Sequence, residues 1–172
     1  MSKRILFILS FCLLFFFSCE KDCKLEPIPD DIFDLNKINE VMLFKCQNEI
    51  DSAEIINKYN YYEKTSFKGP MNIRDCEHYK SYELKFKEDQ ILVSIRKNVA
   101  DSLELEVYAF GNCPNLKINS KIHENELRLN KEYLFEKKSD CEQTNSNIKK
   151  LVLNGFLIKS ITTLDGKTWT LQ

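Results

Sequence analysis

The pattern of apolar and polar positions changes twice along this chain. From Ile5 to Phe17 it is unbroken apolar, 13 residues set between Lys3-Arg4 and Glu20-Lys21-Asp22. From 20 to 31 no period is present, and Pro27 and Pro29 stand beside Asp30 and Asp31. From Val41 onward the pattern alternates. Tyr82, Leu84 and Phe86 are separated by Glu83 and Lys85, and Ile91, Val93 and Ile95 share a face. Leu103, Leu105, Val107 and Ala109 share another, with Glu104 and Glu106 opposite. Period two with one polar face predicts antiparallel strands wet on one side. Strands are expected over 79–87, 91–97 and 103–110, with shorter or weaker ones at 41–46, 53–59, 61–67 and 127–135. Ile32, Leu35, Ile38 and Met42 fit a helical stripe that Asp30 or Asp31 would cap, so a short helix or turn is expected over 32–42.

The last third carries the strongest local signals. Leu151-Val152-Leu153 meets Asn154-Gly155, and Phe156–Leu164 meets Asp165-Gly166 before Lys167–Leu171. Asn-Gly and Asp-Gly between apolar runs mark hairpins, because their turns need positive φ. Two-residue loops there pair Leu153 with Phe156 and Leu164 with Lys167. One face then collects Leu151, Leu153, Phe156, Ile158, Leu164, Trp169 and Leu171, while Val152, Leu157 and Ile161 intrude on the wet face. The expected architecture is one all-β domain, residues 32–172, an antiparallel meander of 8–11 strands forming a sandwich or a curved, barrel-like sheet.

The N-terminal run is too short for a transmembrane helix, which needs about 20 apolar residues. An ordinary secretory cleavage site wants small residues at −1 and −3, and Phe16 is bulky. Ser18-Cys19 instead resembles the cleavage site of bacterial lipoprotein signals, in its relaxed Bacteroidota form. Residues 1–18 are then a signal peptide, and 19–31 are a solvated tether carrying lipid (palmitate among its chains) on Cys19. In that phylum a lysine followed by acids after the lipidated cysteine resembles a surface-export signal, and Glu20-Lys21-Asp22 is a partial match. The resemblance implies an outer-membrane protein that faces the cell surface, or alternatively the periplasm. Gly155-Phe156-Leu157-Ile158-Lys159 and Gly166 through Trp169 are loosely similar to the C-termini of other small Bacteroidota lipoproteins of unknown function, which implies no activity.

Loss of Lys3 and Arg4 with the signal moves the net charge from −1 to −3. Such mild acidity without clustered cations argues against nucleic acid as a partner. Of 7 cysteines, Cys12 leaves with the signal and Cys19 is lipidated. Export favours two structural disulfides among Cys46, Cys76, Cys113 and Cys141, and Cys23 is left in the tether. Three connectivities are open, with neighbour pairing, Cys46–Cys76 and Cys113–Cys141, preferred on topological grounds.

Catalytic patterns are sparse. Cys76 and His78 share a strand face and could form a thiol–imidazole or metal pair, but a disulfide cysteine beside a histidine is the simpler reading. His123-Glu124-Asn125-Glu126 lacks the second histidine of a zinc-protease motif, for Leu127 stands there. Glu104 and Glu106 sit at a spacing a glycosidase pair could use, yet alternating charge is what a wet sheet face ordinarily carries. Nucleophile-elbow, phosphate-loop and dinucleotide glycine motifs are missing. No metal or cofactor is expected. Tyr59, Tyr61 and Tyr62 offer an aromatic patch for glycan or protein contact, or strand packing. The expected function is a non-enzymatic binding or structural role at the envelope. The alternatives are a periplasm-facing factor holding lipid or another apolar ligand, motivated by Val152, Leu157 and Ile161, and a hydrolase of unfamiliar type.

Overall fold

The computed structural model of the chain describes residues 25–64, 76–98, 100, 102–109, 116–122, 131–137 and 146–172. Among the described residues ten antiparallel strands make one sheet: β1 (Val41–Cys46), β2 (Glu49–Lys64), β3 (Cys76–Phe86), β4 (Asp89–Lys97), β5 (Leu103–Tyr108), β6 (Leu116–Ile122), β7 (Glu132–Glu136), β8 (Ile148–Asn154), β9 (Leu157–Thr163) and β10 (Thr168–Leu171). Their order is β6-β5-β4-β3-β2-β1-β10-β9-β8-β7. Two meanders are thus zipped together where the first strand meets the last, with Phe44 opposite Leu171. The sheet curls until it is nearly closed, which decides for the barrel-like form over the sandwich.

The alternation read from the sequence sets the inward faces. Tyr82, Leu84 and Phe86 of β3, Ile91, Val93 and Ile95 of β4, and Leu103, Leu105 and Val107 of β5 are all buried in one continuous core. One long strand, β2, replaces the two expected at 53–59 and 61–67, with its register shifting between Ile55 and Asn57. The strand β6 lies where no alternation stood out.

Both C-terminal turns differ from expectation by about one residue. Asn154 pairs with Leu157, so the first loop is Gly155-Phe156, with Gly155 at φ 59°. A register shift after Leu153 then brings Leu151 opposite Ile161. Ile161 is therefore core, not an intruder on the wet face, while Val152 and Leu157 are half-buried. At the second turn the Thr163 N–H donates to Lys167 O, which leaves a three-residue loop, Leu164 to Gly166, with Gly166 at φ 84°. That is the hairpin form with a left-handed glycine at its third loop position. It pairs Trp169 with Ile161 and turns Leu164 out to 54% exposure, so Leu164 leaves the expected core face.

The segment before β1 is packed rather than solvated. Pro29 O accepts from the backbone of both Ile32 and Phe33, and the turn so made drives Ile28, Ile32 and Phe33 into the barrel. The Phe33 ring packs tilted against that of Phe156, centroids 4.6 Å apart. The expected tether through residue 31 thus ends before Ile28. The helical stripe over 32–42 is realised only as a 3-10 turn, Leu35–Lys37, capped by Asp34 and not by Asp30 or Asp31. Its closing carbonyl, Ile38 O, accepts from Lys58 Nζ at 2.8 Å.

Candidate functional site

Two polar clusters sit back to back on β3, because successive residues of a strand point to opposite faces. The inner one is made by His78 and Lys80 with Lys97 of β4, each no more than 3% exposed. Asn60 and Tyr62 of β2 stand opposite Lys80 and His78 in the register. His78 Nδ1 accepts the Ile28 N–H at 2.9 Å, which leaves Nε2 protonated and donating to Asn60 Oδ1 at 2.9 Å. The Tyr62 ring lies 4.5 Å from the imidazole. Burial, then the charges of Lys80 and Lys97, hold the His78 pKa below its ordinary value. Geometry and charge agree on a neutral ring with both nitrogens occupied. Lys80 reaches out to Asp30 and also donates to Phe33 O at 3.0 Å. The ammonium holds the exposed Asp30 carboxyl below the usual range through their hydrogen bond and opposite charge. This cluster fastens the N-terminal segment into the barrel mouth.

The outer cluster lies on the wet side of β2 to β5. Cross-strand register sets Tyr61, Tyr79, Arg96 and Glu104 side by side in one row, and Tyr59, Ser81, Ser94 and Glu106 in the next. Tyr61 and Tyr79 stack with centroids 5.2 Å apart and planes 9° apart. Arg96 is the hub: it pairs with Glu104, with Glu77 at 3.4 Å and with Glu106 at 3.8 Å. The tyrosines close the network, Tyr79 OH donating to Glu77 at 2.5 Å and Tyr108 OH to Glu106 at 2.7 Å. Burial and then its bond to Glu106 push the Tyr108 phenol up to about 12. Burial, then the bond to Glu77, likewise raises Tyr79. Burial opposes the Arg96 charge, but its carboxylate and tyrosine partners outweigh that and raise its pKa. Arg96 Nε is buried and has no hydrogen-bond partner. Ser81 and Ser94 lie buried beneath these taller neighbours, while Tyr59 and Tyr61 stay exposed at the rim, 40% and 46%.

The residues singled out in the sequence fall as follows. Glu104 and Glu106 do lie on one face, but Arg96 sits between them and is ion-paired to both. Tyr59 and Tyr61 share the outer face with Tyr79, whereas Tyr62 is turned to His78. Arg96, Glu77, Tyr79 and Tyr108 were not singled out. Each is an ordinary wet-face residue until strand order places it, and β4–β5 pairing alone brings Arg96 opposite Glu104. Cys46 is a buried free thiol. It pairs with Glu49 at one end of β2, while Cys76 pairs with Lys64 at the other. The 16 residues of β2 stand between them, some 50 Å of strand at ~3.3 Å per residue, so the expected Cys46–Cys76 bridge does not form. Cys76 is nonetheless disulfide-bonded. Cys19, Cys23, Cys113, Cys141 and His123 lie outside the described residues. Among the described residues no group of three or more His, Cys, Asp or Glu is placed to hold a metal ion. No helix among them is long and apolar enough to cross a membrane. No family model, curated protein or solved structure matches the chain.

Proposed function

We propose that the protein is an exported lipoprotein, anchored to the outer membrane through Cys19 and facing the cell surface. Its barrel presents a non-enzymatic binding face to a glycan. The observation that carries the binding reading is the Tyr61–Tyr79 stack, exposed at Tyr61 and half-buried at Tyr79, beside the Arg96–carboxylate network. Sugars offer apolar C–H faces that lie flat on aromatic rings, and hydroxyls that suit fixed charged donors and acceptors; a rigid, amphipathic tyrosine provides contact area at little entropic cost. The network is already hydrogen-bonded, so it is preorganised. Engagement of the carboxylates by Arg96 and of both His78 nitrogens favours binding over hydrolysis. The interior is filled by Phe44, Tyr82, Phe86 and Trp169 and plugged by Ile28, Ile32 and Phe33, which weighs against the apolar-ligand alternative.

A glycan array with purified protein, followed by titration calorimetry on any hit, tests the binding reading. Tyr61→Ala should weaken a true ligand by 10-fold or more, taking about 1.5 kcal/mol as the contribution of one stacked ring. An unchanged affinity places the ligand elsewhere. Address is tested separately by protease shaving of intact cells: a domain left whole while a known surface protein is stripped defeats the surface assignment.

A further inference from the structure

We infer that the protein pairs with a second copy of itself through the open edge of β2, from Asn57 to Glu63, the two edges running antiparallel about a twofold axis at Asn60. β2 is far longer than the strand beside it. β1 covers it only as far as Glu54, and the Ile55 N–H donates to Glu40 O at 2.8 Å. Past that point, among the described residues, no strand pairs with that side of β2.

The register fixes which backbone groups this edge presents. The β3–β4 turn has a two-residue loop, Lys87-Glu88, so Phe86 and Asp89 bond each other mutually. Alternation then commits Leu84, Tyr82 and Lys80 to β4, and Glu83, Ser81 and Tyr79 to β2. Their partners on β2, past the bulge, are Asn57, Tyr59 and Tyr61. The N–H and C=O groups of Lys58, Asn60 and Tyr62 therefore point away from β3, toward the open side. Such a row is a template for a further strand. Lysine commonly guards an edge, but the Lys58 ammonium is drawn to Ile38 O at 2.8 Å. Ile56, Tyr59, Tyr61 and Tyr62 are all exposed along this stretch, an apolar and aromatic run that suits a protein partner.

Self-complementarity selects a second copy and sets its register. With Asn60 at the axis, Lys58 meets the partner's Tyr62, Tyr59 meets the partner's Tyr61, and Asn57 meets the partner's Glu63. No like charges are opposed, and paired tyrosines favour the joint. The ladder ends at Asn57, just short of Ile55, whose N–H is already held by Glu40. An axis at Tyr61 would oppose Lys58 to the partner's Lys64. An axis at Tyr59 would run Tyr62 onto the partner's Ile56, the residue left over at the bulge. The Asn60 axis uses the open length without either fault. It makes about six N–H···O bonds, two for each mutually bonded pair. A twofold contact closes on itself, so assembly stops at a dimer.

The joint is independent of the glycan reading, but it changes the face on which that reading stands. Tyr79 and Tyr61 of each copy fall in one row with the partner's Tyr59, so the wet faces of two barrels become one aromatic surface. A single strand edge makes a small interface, below about 1,200 Å², and a reversible dimer with a dissociation constant on the order of micromolar follows.

The test uses the full-length protein in density-matched detergent, followed by sedimentation equilibrium and amide hydrogen exchange from about 1 µM to about 1 mM, a range that brackets micromolar association. The mass should rise from one chain to two and stop there. Over the same range exchange should slow at least 10-fold at Lys58, Asn60 and Tyr62, while Tyr59 and Tyr61, bonded to β3, stay protected throughout. A single-chain mass at the highest concentration, a mass beyond two chains, or exchange at those three amides that ignores concentration would each overturn the inference. Paired substitutions then test the register. Tyr59→Glu with Tyr61→Glu opposes acid to acid at both cross-strand pairs and should weaken the dimer at least 10-fold. Tyr59→Glu with Tyr61→Lys opposes acid to base at both, and should bind at least 10-fold more tightly than the first variant. Axes at Tyr59 or Tyr61 would instead set like charges together in that second variant, so equal dissociation of the two defeats the Asn60 register. If neither variant folds, wild-type mass and exchange still decide. Glycan binding by a protein that stays monomeric sinks the dimer alone, and a dimer that binds no glycan sinks the glycan reading alone.

Discussion

The two halves of β3 carry the same alternation and the same inward face, yet they build opposite interiors. Toward its end, Tyr82, Leu84 and Phe86 enter a dry cluster in which Phe86 meets Phe44 at 5.5 Å and Trp169 at 5.8 Å, both edge-on. Toward its start, Cys76, His78 and Lys80 occupy the equivalent inward positions and are just as buried. The difference lies in what faces them. The barrel wall and its aromatics complete the first half, while the N-terminal segment completes the second by supplying an amide N–H, a carboxylate and a carbonyl. Buried polar groups are tolerated where each has a partner. Period two therefore tells which side chains face in, not whether the inside is dry. The aromatic half should hold the global stability, and the polar half should open first, since its closure depends on a short segment of chain.

The largest expected effect tests the aromatic half. Trp169→Ala should cost about 3–5 kcal/mol in denaturant unfolding, as a large buried aromatic leaves a cavity under a rigid sheet. Trp169→Phe should cost far less, because it keeps the edge-on contact and removes an indole N–H that is buried without a hydrogen-bond partner. If both variants lose equally little, the aromatic cluster is not the stability centre and the comparison fails. Hydrogen exchange gives a second view. Amides of Leu84 and Phe86 should exchange only through global unfolding, and those of His78 and Lys80 through a cheaper local opening.

The next effect is smaller and dependent on pH. His78→Ala orphans the Ile28 N–H and the Asn60 carbonyl and should cost about 1–3 kcal/mol. In the wild type the folded His78 pKa is depressed, so between it and the unfolded value near 6.5 the unfolded state binds more protons. The stabilisation is thus complete above about pH 6.5 and drains away as pH falls through the folded pKa. Protonation would also point an imidazolium N–H at the Ile28 N–H, with Lys80 and Lys97 already nearby. Acid should therefore open the N-terminal segment before the barrel, seen as fast exchange at Ile28 with protected amides at Phe86. His78→Ala should flatten that acid dependence. An unaltered pH profile in the variant would remove His78 as its source.

How much of this was legible in the sequence follows from the physics of each signal. Strand alternation is local, and it placed Leu84, Val93 and Leu105 inside without any knowledge of partners. Turn chemistry is local too, but the two C-terminal loops show its limit: Asn-Gly and Asp-Gly announce a turn, while one extra loop residue moved Trp169 from Thr162 to Ile161. The polar clusters were not legible, because they are products of strand order. Nothing in the sequence sets Arg96 beside Glu104 and Glu77, or Asp30 upon Lys80, until β3, β4 and β5 are adjacent and the N-terminal segment is folded inward. The segment itself misled through composition. Prolines and acids read as a solvated tether, but Pro29 here nucleates the turn that buries Ile28, Ile32 and Phe33.

The smallest effect asks how far the aromatic half extends into its own turns. Gln47 and Lys87 open two-residue hairpin loops with φ of 54° and 55°, a conformation that favours glycine. By backbone alone, glycine at either position relieves about 1 kcal/mol of left-handed strain, partly offset by the greater freedom of the unfolded chain. Their side chains separate them. No ring contact accompanies Gln47, whereas Lys87 Nζ sits 4.0 Å from the Trp169 ring centroid and 3.5 Å from Asp51 Oδ2. A cation over a largely buried indole contributes about 0.5–2 kcal/mol. Gln47→Gly should therefore stabilise by up to ~0.5 kcal/mol, and Lys87→Gly should destabilise by up to ~1 kcal/mol, although the backbone gain is the same in each. Paired unfolding curves of the two variants in low salt measure the difference. Equal shifts would mean that the Trp169 contact adds nothing, and that the aromatic half ends at its strands.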